Sequence, residues 1–330
     1  LNFSLAVGAD GRLYSWGCGS KGQLGAVSLP QRSTLARSIE NRSWTPSSAQ
    51  PPVRSKLLAA SPPTYTEVLE ESQLHEGRNG GGGGGNGMMQ RGSLDAPTPK
   101  EIEITGVREV TMIAAASEHA LCVDGTGAVW AWGSGKNGEL GSGHVGLSGT
   151  PKVLKTLSAK KIVCIAAGGR HCGAVATSGE LYTWGDGRSG QLGHGDTASR
   201  QTPLAVASLH GRHLSSVACG LEHTIVVSAG GGAFAFGSAR HGRLGIGDAA
   251  QQVPHGRQAK PKLIGSKGSE QLSKIITVAC GDAHTLLLTN DGNGINGKLL
   301  SCGHGAKGAL GLGHPMDGWT PQPVQCLDGV

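Results

Sequence analysis

The sequence predicts an all-β fold, a propeller of four-stranded antiparallel blades, and three observations carry that expectation. A Trp-Gly dipeptide followed by Gly-x-Leu-Gly recurs in register along the 330 residues. Two successive copies follow at 52 residues each, a period that marks a repeat architecture and suits four short strands per unit. Gly contributes 57 residues without a collagen triplet, as expected of many strands joined by tight turns.

The copies justify the units one by one. Leu13-Tyr-Ser-Trp16-Gly17 precedes Gly22-Gln-Leu24-Gly25, and Val129-Trp-Ala-Trp132-Gly133 precedes Gly138-Glu-Leu140-Gly141. Leu181-Tyr-Thr-Trp184-Gly185 precedes Gly190-Gln-Leu192-Gly193, and Ala233-Phe-Ala-Phe236-Gly237 precedes Gly242-Arg-Leu244-Gly245. The fifth is degenerate, Leu299-Leu-Ser-Cys302-Gly303 before Gly308-Ala-Leu310-Gly311. Successive Leu-Gly pairs are 116, 52, 52 and 66 residues apart. The unit around 181 offers four apolar segments: 180–184, 202–206 opened by Pro203, 214–220 and 223–227. Bounded by Gly, Asp and Pro, they read as one four-stranded meander. Apolar positions keep no helical period in any window of about eleven residues, so almost no helix is expected. A single four-stranded sheet cannot bury both faces, and radial stacking of such sheets does so while protecting their edges.

The gap of 116 is two periods with only one new Trp-Gly. Residues 26–97 fill it with Pro pairs, six consecutive glycines, Ser and Arg. That composition predicts a disordered insertion within a blade, with a heavily degraded blade as the alternative. The chain then divides into a partial first blade at 1–25, the low-complexity stretch 26–97, and blades over 98–330 that form one repeat domain with 1–25. Smaller expansions are expected at 254–270, which is basic, and at 290–297, an Asp/Asn/Gly-rich hairpin loop lacking the closing Glu of a calcium loop. Leu1 starts in mid-repeat and 321–327 resembles the opening of a further unit, so the sequence reads as a piece of a larger protein.

Charge and cysteine usage exclude some classes. The formal charge is +6, without a Lys/Arg run, which is ordinary for a solvated surface. The eight cysteines (Cys18, Cys122, Cys164, Cys172, Cys219, Cys280, Cys302 and Cys326) form no C-x-x-C pair, and no clustered ligands mark a zinc site. Several lie in apolar runs as small hydrophobes, which suggests a reducing compartment, cytoplasmic or nuclear. No apolar stretch of about 18 residues exists to span a membrane as a helix.

Residues 1–25 and 98–330 resemble the RCC1 (regulator of chromosome condensation) repeat family. Trp184-Gly185, Gly190-Gln-Leu-Gly-His-Gly-Asp196, Pro203 and Val217-Ala-Cys-Gly-Leu-Glu-His223-Thr224 carry the resemblance in register. It implies a propeller of about seven blades, of which about five are present. The recurrent Trp16, Trp132, Trp184 and Phe236 are plates suited to filling the space between sheets, with the Gly-x-Leu-Gly leucines beneath them. His119, His171, His223 and His284 recur at one repeat position, where the first unit has Ser4. One His per blade at a common radius is too widely spaced to share an ion, so these are read as hydrogen-bonded structural groups and no metal is expected.

Residues just before each of these histidines vary from unit to unit, and the resemblance implies that their turns open onto the face where partners dock. Glu118, Arg170, Glu222 and Asp282 are therefore the candidate partner-face residues, against the reading that they are ordinary solvated turn charges. Where ultraviolet-receptor members carry Trp, this chain has Gly169, which argues against photoreception. No nucleophile elbow, Walker loop or triad order is present, and no cofactor is implied. The expected function is a non-catalytic protein-interaction scaffold. The alternative is guanine-nucleotide exchange on a Ran-like small GTPase. A further reading is chromatin contact through Arg257, Lys260, Lys262 and Lys267, which added salt would weaken.

Overall fold

In a computed structural model, residues 3–25, 95–247, 253–265, 274–290 and 297–324 are described. They form five consecutive antiparallel sheets. Blade 1 has three described strands, β1 (Phe3–Val7), β2 (Leu13–Gly17) and β3 (Ala96–Ile102). Blade 2 comprises β4 (Val110–Ala115), β5 (His119–Asp124), β6 (Val129–Ser134) and β7 (Leu147–Val153). Blade 3 comprises β8 (Ile162–Ala167), β9 (His171–Ala176), β10 (Leu181–Gly185) and β11 (Arg200–Ala205). Blade 4 comprises β12 (Leu214–Cys219), β13 (His223–Ser228), β14 (Ala233–Ser238) and β15 (Arg257–Leu263). Blade 5 comprises β16 (Lys274–Cys280), β17 (His284–Asn290), β18 (Leu299–Gly303) and β19 (Gly318–Pro323). Among the described residues, the helices given bounds are 3₁₀ turns of three residues, such as Lys155–Leu157 and Ala207–Leu209.

The sequence unit and the blade are out of phase, which corrects the reading of 180–227 as one meander. β10 and β11 close blade 3, whereas β12 and β13 open blade 4. The reason lies in the connections. β13 turns into β14 through the Gly-rich bend 229–232, where Gly231 N bonds Ser228 O, so these two strands must be neighbours. Between β11 and β12 the chain instead makes a 3₁₀ turn that buries Val206 and Leu209 between blades.

Two expected boundaries also move. Ala96 pairs with Gly17, so strand begins before the limit set at 97. The basic stretch 254–270 is not a loop over its first half. Arg257–Leu263 is the outer strand of blade 4, with Ser238 opposite Arg257 and Phe234 opposite Leu263. Pro261 fits there because an outer strand can spare an N–H. Residues 26–94, Lys267, Cys326 and the 291–296 part of the Asn-rich loop lie outside the described residues.

First strands meet at the centre, with β4 on β8, β8 on β12 and β12 on β16. Four apolar clusters fill the four gaps between sheets. Alternation along β5 shows how: Ala120 and Cys122 face blade 1, while Leu121 and Val123 face blade 3, all with at most 1% exposure. The aromatic of each Trp-Gly sits at a register break in the outer strand pair. The glycine after it then takes positive φ, 98° at Gly185, where a Cβ would meet Arg170 O at 2.6 Å.

The Gly-x-Leu-Gly loop latches onto the next blade. Trp132 Nε1 donates to Gln23 O at 2.8 Å and Trp184 Nε1 to Glu139 O at 2.7 Å. Phe236 and Cys302 cannot replace that indole donor. There the His-Thr threonine takes over, Thr224 Oγ1 donating to Gln191 O and Thr285 Oγ1 to Arg243 O, each at 2.7 Å. The joint survives the loss of either partner type because only the carbonyl is constant.

Candidate functional site

Antiparallel pairing puts the turn between first and second strands, and the loop between third and fourth, at one end of every blade. Glu118, Arg170, Glu222 and Asp282 all lie at that end, on the turns entering β5, β9, β13 and β17. Their backbone is fixed: Ser134 N, Asp186 N and Ser238 N donate to Glu118 O, Arg170 O and Glu222 O, each at 2.8 Å. Gly169 N and Leu221 N reach the neighbouring turns at Gly220 O and Asp282 O. Arg170 and Asp282 are exposed, Glu118 and Glu222 half-buried. The turn backbone is thus fixed, while the Arg170 and Asp282 side chains reach solvent.

The same end holds residues that sequence reasoning missed. Asp186 is buried and receives Arg188 through Nε and Nη2, the latter at 2.6 Å. Burial would raise its carboxyl, but hydrogen bonds from Arg188 hold it below the usual range. Buried Glu139 accepts from Asn137 N at 2.7 Å. Val145, Leu147, Leu221 and Met316 expose apolar side chains there, between 43% and 64% accessible. Departure from the repeat at fixed positions could have flagged Glu139, which stands where two other units carry Gln23 and Gln191.

The recurrent histidines are inter-blade ties. His119 Nε2 lies 3.2 Å from Cys172 Sγ, His171 Nε2 2.8 Å from Thr224 Oγ1, and His223 Nε2 3.1 Å from Thr285 Oγ1. Because Thr224 and Thr285 donate to backbone carbonyls, they accept from Nε2–H of His171 and His223. Nδ1 of those two rings is buried and unbonded among the described residues. A second proton there would have no acceptor. Burial accordingly lowers His119 to about 3, His171 to about 4 and His223 to about 3. His284, half-buried, is lowered by burial as well. Trp132, Trp184 and Phe236 are fully buried between sheets, whereas Trp16 in blade 1 is partly exposed.

In three units the second residue of Gly-x-Leu-Gly accepts the N–H two positions earlier: Lys21 N to Gln23, Asn137 N to Glu139, Ser189 N to Gln191. Arg243 and Ala309 offer no such acceptor. In those two loops the backbone turns left-handed, at His241 (φ 59°) and Lys307 (φ 58°). One result is that His241, His304 and Asp317, distant in sequence, come together at this end.

Two clefts of about 280 and 710 Å³ open at the opposite end, beside Arg12 and Glu101 and beside Arg212 and His213. His213 and Ser228 both line the larger cleft, where Ser228 Oγ donates to Gly232 O at 3.1 Å. Among the described residues no helix is long and apolar enough to cross a membrane.

Comparison with known proteins places these features. A model of the RCC1-like domain matches residues 70–330, and one of the regulator of chromosome condensation (RCC1) repeat matches residues 10–60. The ultraviolet-B receptor UVR8 of Arabidopsis thaliana is 36% identical over 238 residues, covering 72% of this chain and 50% of that protein. The human E3 ubiquitin-protein ligase HERC2 is 28% identical over 331 residues, covering 99% of this chain and 6% of that protein. The chain thus spans half or less of both relatives. Human WBSCR16 superposes with a TM-score of 0.69 at 20% identity, covering 98% of this chain and 65% of that one. Prp20p of Saccharomyces cerevisiae superposes at 0.60, also at 20% identity, covering 98% and 75%. Those likenesses speak for the fold, and with the match over 70–330 they establish that the chain belongs to the RCC1-like domain family.

Proposed function

We propose that this chain is a non-catalytic docking module that binds a protein through the end carrying Glu118, Arg170, Glu222 and Asp282. The supporting observation is that charged turn tips and the exposed apolar Val145, Leu147, Leu221 and Met316 share that end on a fixed backbone. Apolar anchors within a polar rim are what interfaces use. The reading fits a module of a larger protein, since HERC2 is many times longer than the matched region. Affinity capture from extract with the wild-type chain, Leu221→Asp/Glu222→Lys, and the opposite-end control Arg212→Glu tests it. Bound protein is expected to fall about tenfold for the face variant, a loss of about 1.4 kcal/mol. Equal capture by all three would remove the proposal.

Guanine-nucleotide exchange on a Ran-like GTPase is the second reading. It is favoured by three acidic residues, Glu118, Glu222 and Asp282, at the tips of turns in blades 2, 4 and 5. Such a protein acts by wedging the nucleotide site and needs no cofactor. Release of labelled GDP from Ran, unaccelerated at micromolar protein, would discard this reading and leave docking standing. Chromatin contact would use Arg257 and Lys260, both exposed on β15. Its mark is a steep fall of DNA affinity with salt.

A further inference from the structure

We propose that His241, His304 and Asp317 form a binding site for a zinc-class divalent transition-metal ion that clasps blades 4 and 5 together. His241 belongs to the loop after β14, while His304 and Asp317 flank the loop between β18 and β19. His241 Nδ1 lies 2.8 Å from Asp317 Oδ2, and His304 Nδ1 lies 2.9 Å from Asp317 Oδ1. The two rings are 4.3 Å apart between centroids, and one donor atom from each residue falls within a 4.8 Å group.

Repeat comparison separates what the fold requires from what is added. Asp317 Oδ1 also accepts Gly305 N at 3.0 Å. Asp95 does the same for Gly19, and Ser199 for Gly187, at the corresponding position. That cap needs one oxygen and no imidazole. His304 stands where other units have Cys18, Ser134, Asp186 and Ser238. His241 reaches Asp317 from the neighbouring blade in a loop turned left-handed, in a unit where Arg243 has replaced the usual acceptor. Arg243 itself donates from Nε to Arg240 O and from Nη1 to Asp282 O, so neither of those contacts is to Asp317.

Two imidazoles and a carboxylate suit zinc, cobalt or nickel and are poor for magnesium or calcium. With metal–ligand distances of about 2.0–2.2 Å, tetrahedral donors lie roughly 3.3 Å apart. Each His–Asp spacing would have to widen by about half an ångström, and the group as a whole, now within 4.8 Å, to close toward the same value by side-chain rotation. Each ring binds through Nδ1 and keeps its proton on Nε2, so neutral histidines need only change tautomer. The three side chains are 29–44% exposed, which leaves room for an ion to enter and for water to complete its shell.

The test uses the full chain, purified without a polyhistidine tag and stripped of metal. Cobalt titration followed by visible absorption, with zinc competition, is expected to show one ion per chain and a zinc-dependent rise in the thermal midpoint. His241→Asn, chosen because Asn accepts left-handed backbone, and His304→Gln should each weaken binding about tenfold or more. His210→Asn, at the opposite end, should bind as the wild type. Substoichiometric binding, or equal affinity in all variants, would overturn the site. Circular dichroism of the variants separates loss of ligand from loss of fold.

Discussion

Trp184→Ala is expected to destabilise the chain by about 3–5 kcal/mol, the usual cost of emptying a large buried aromatic site. Trp184 has no exposed surface and sits in the apolar cluster between blades 2 and 3. Its removal opens that gap and strips Glu139 O of its 2.7 Å indole donor. Cys172 Sγ, 3.4 Å from the same oxygen, is a weak substitute. Trp184→Phe keeps most of the volume and repeats the arrangement at Phe236, so a loss of about 1–2 kcal/mol is expected. Urea unfolding followed by far-ultraviolet circular dichroism checks both. A Trp184→Ala midpoint matching wild type would show that the blades are not held by this plate. Because each sheet touches only its neighbours, the variant should also broaden the transition as the two sides unfold separately.

Acid is the second large lever. His119, His171 and His223 are held near 3–4 in the folded chain against an ordinary 6.5. Between those limits the unfolded chain binds more protons, so stability rises with pH and is lost as pH falls below about 6.5. Each ring contributes up to about 1.4 kcal/mol per pH unit, so three give a slope of about 4 kcal/mol per unit near pH 5. Urea midpoints should be flat above pH 7 and drop steeply toward pH 5. His223→Gln should reduce that slope by about a third while lowering the plateau. A midpoint unchanged between pH 7.5 and 5 would mean that these rings charge without unfolding the sheets.

Much of the architecture was legible because each unit repeats the same physical demand. A large plate between sheets, a glycine where backbone approaches within van der Waals contact, and a Gly-rich bend all leave residue types at fixed spacing. The phase of strands into sheets was not legible. Segments 200–205 and 214–219 look equally like hairpin partners on the page, and only the buried 3₁₀ turn at Ala207–Leu209 separates them. β15 was obscured in the same way, since Arg257, Lys260 and Lys262 read as solvated loop until Pro261 is placed on an outer strand. The charged turn tips were visible as departures from the repeat. The His241–His304–Asp317 group was hidden, because 241 and 317 are joined only by the fold.

The offset between sequence unit and blade bears on how such a chain can grow. A segment copied from one Trp-Gly to the next carries the outer half of one sheet, the inner half of the following sheet, and the Thr224-to-Gln191 bond that joins them. Duplication of that segment delivers a finished seam instead of a lone sheet with two bare faces. Recombination within 206–213, by contrast, would exchange intact sheets and force every seam to be rebuilt from unrelated halves.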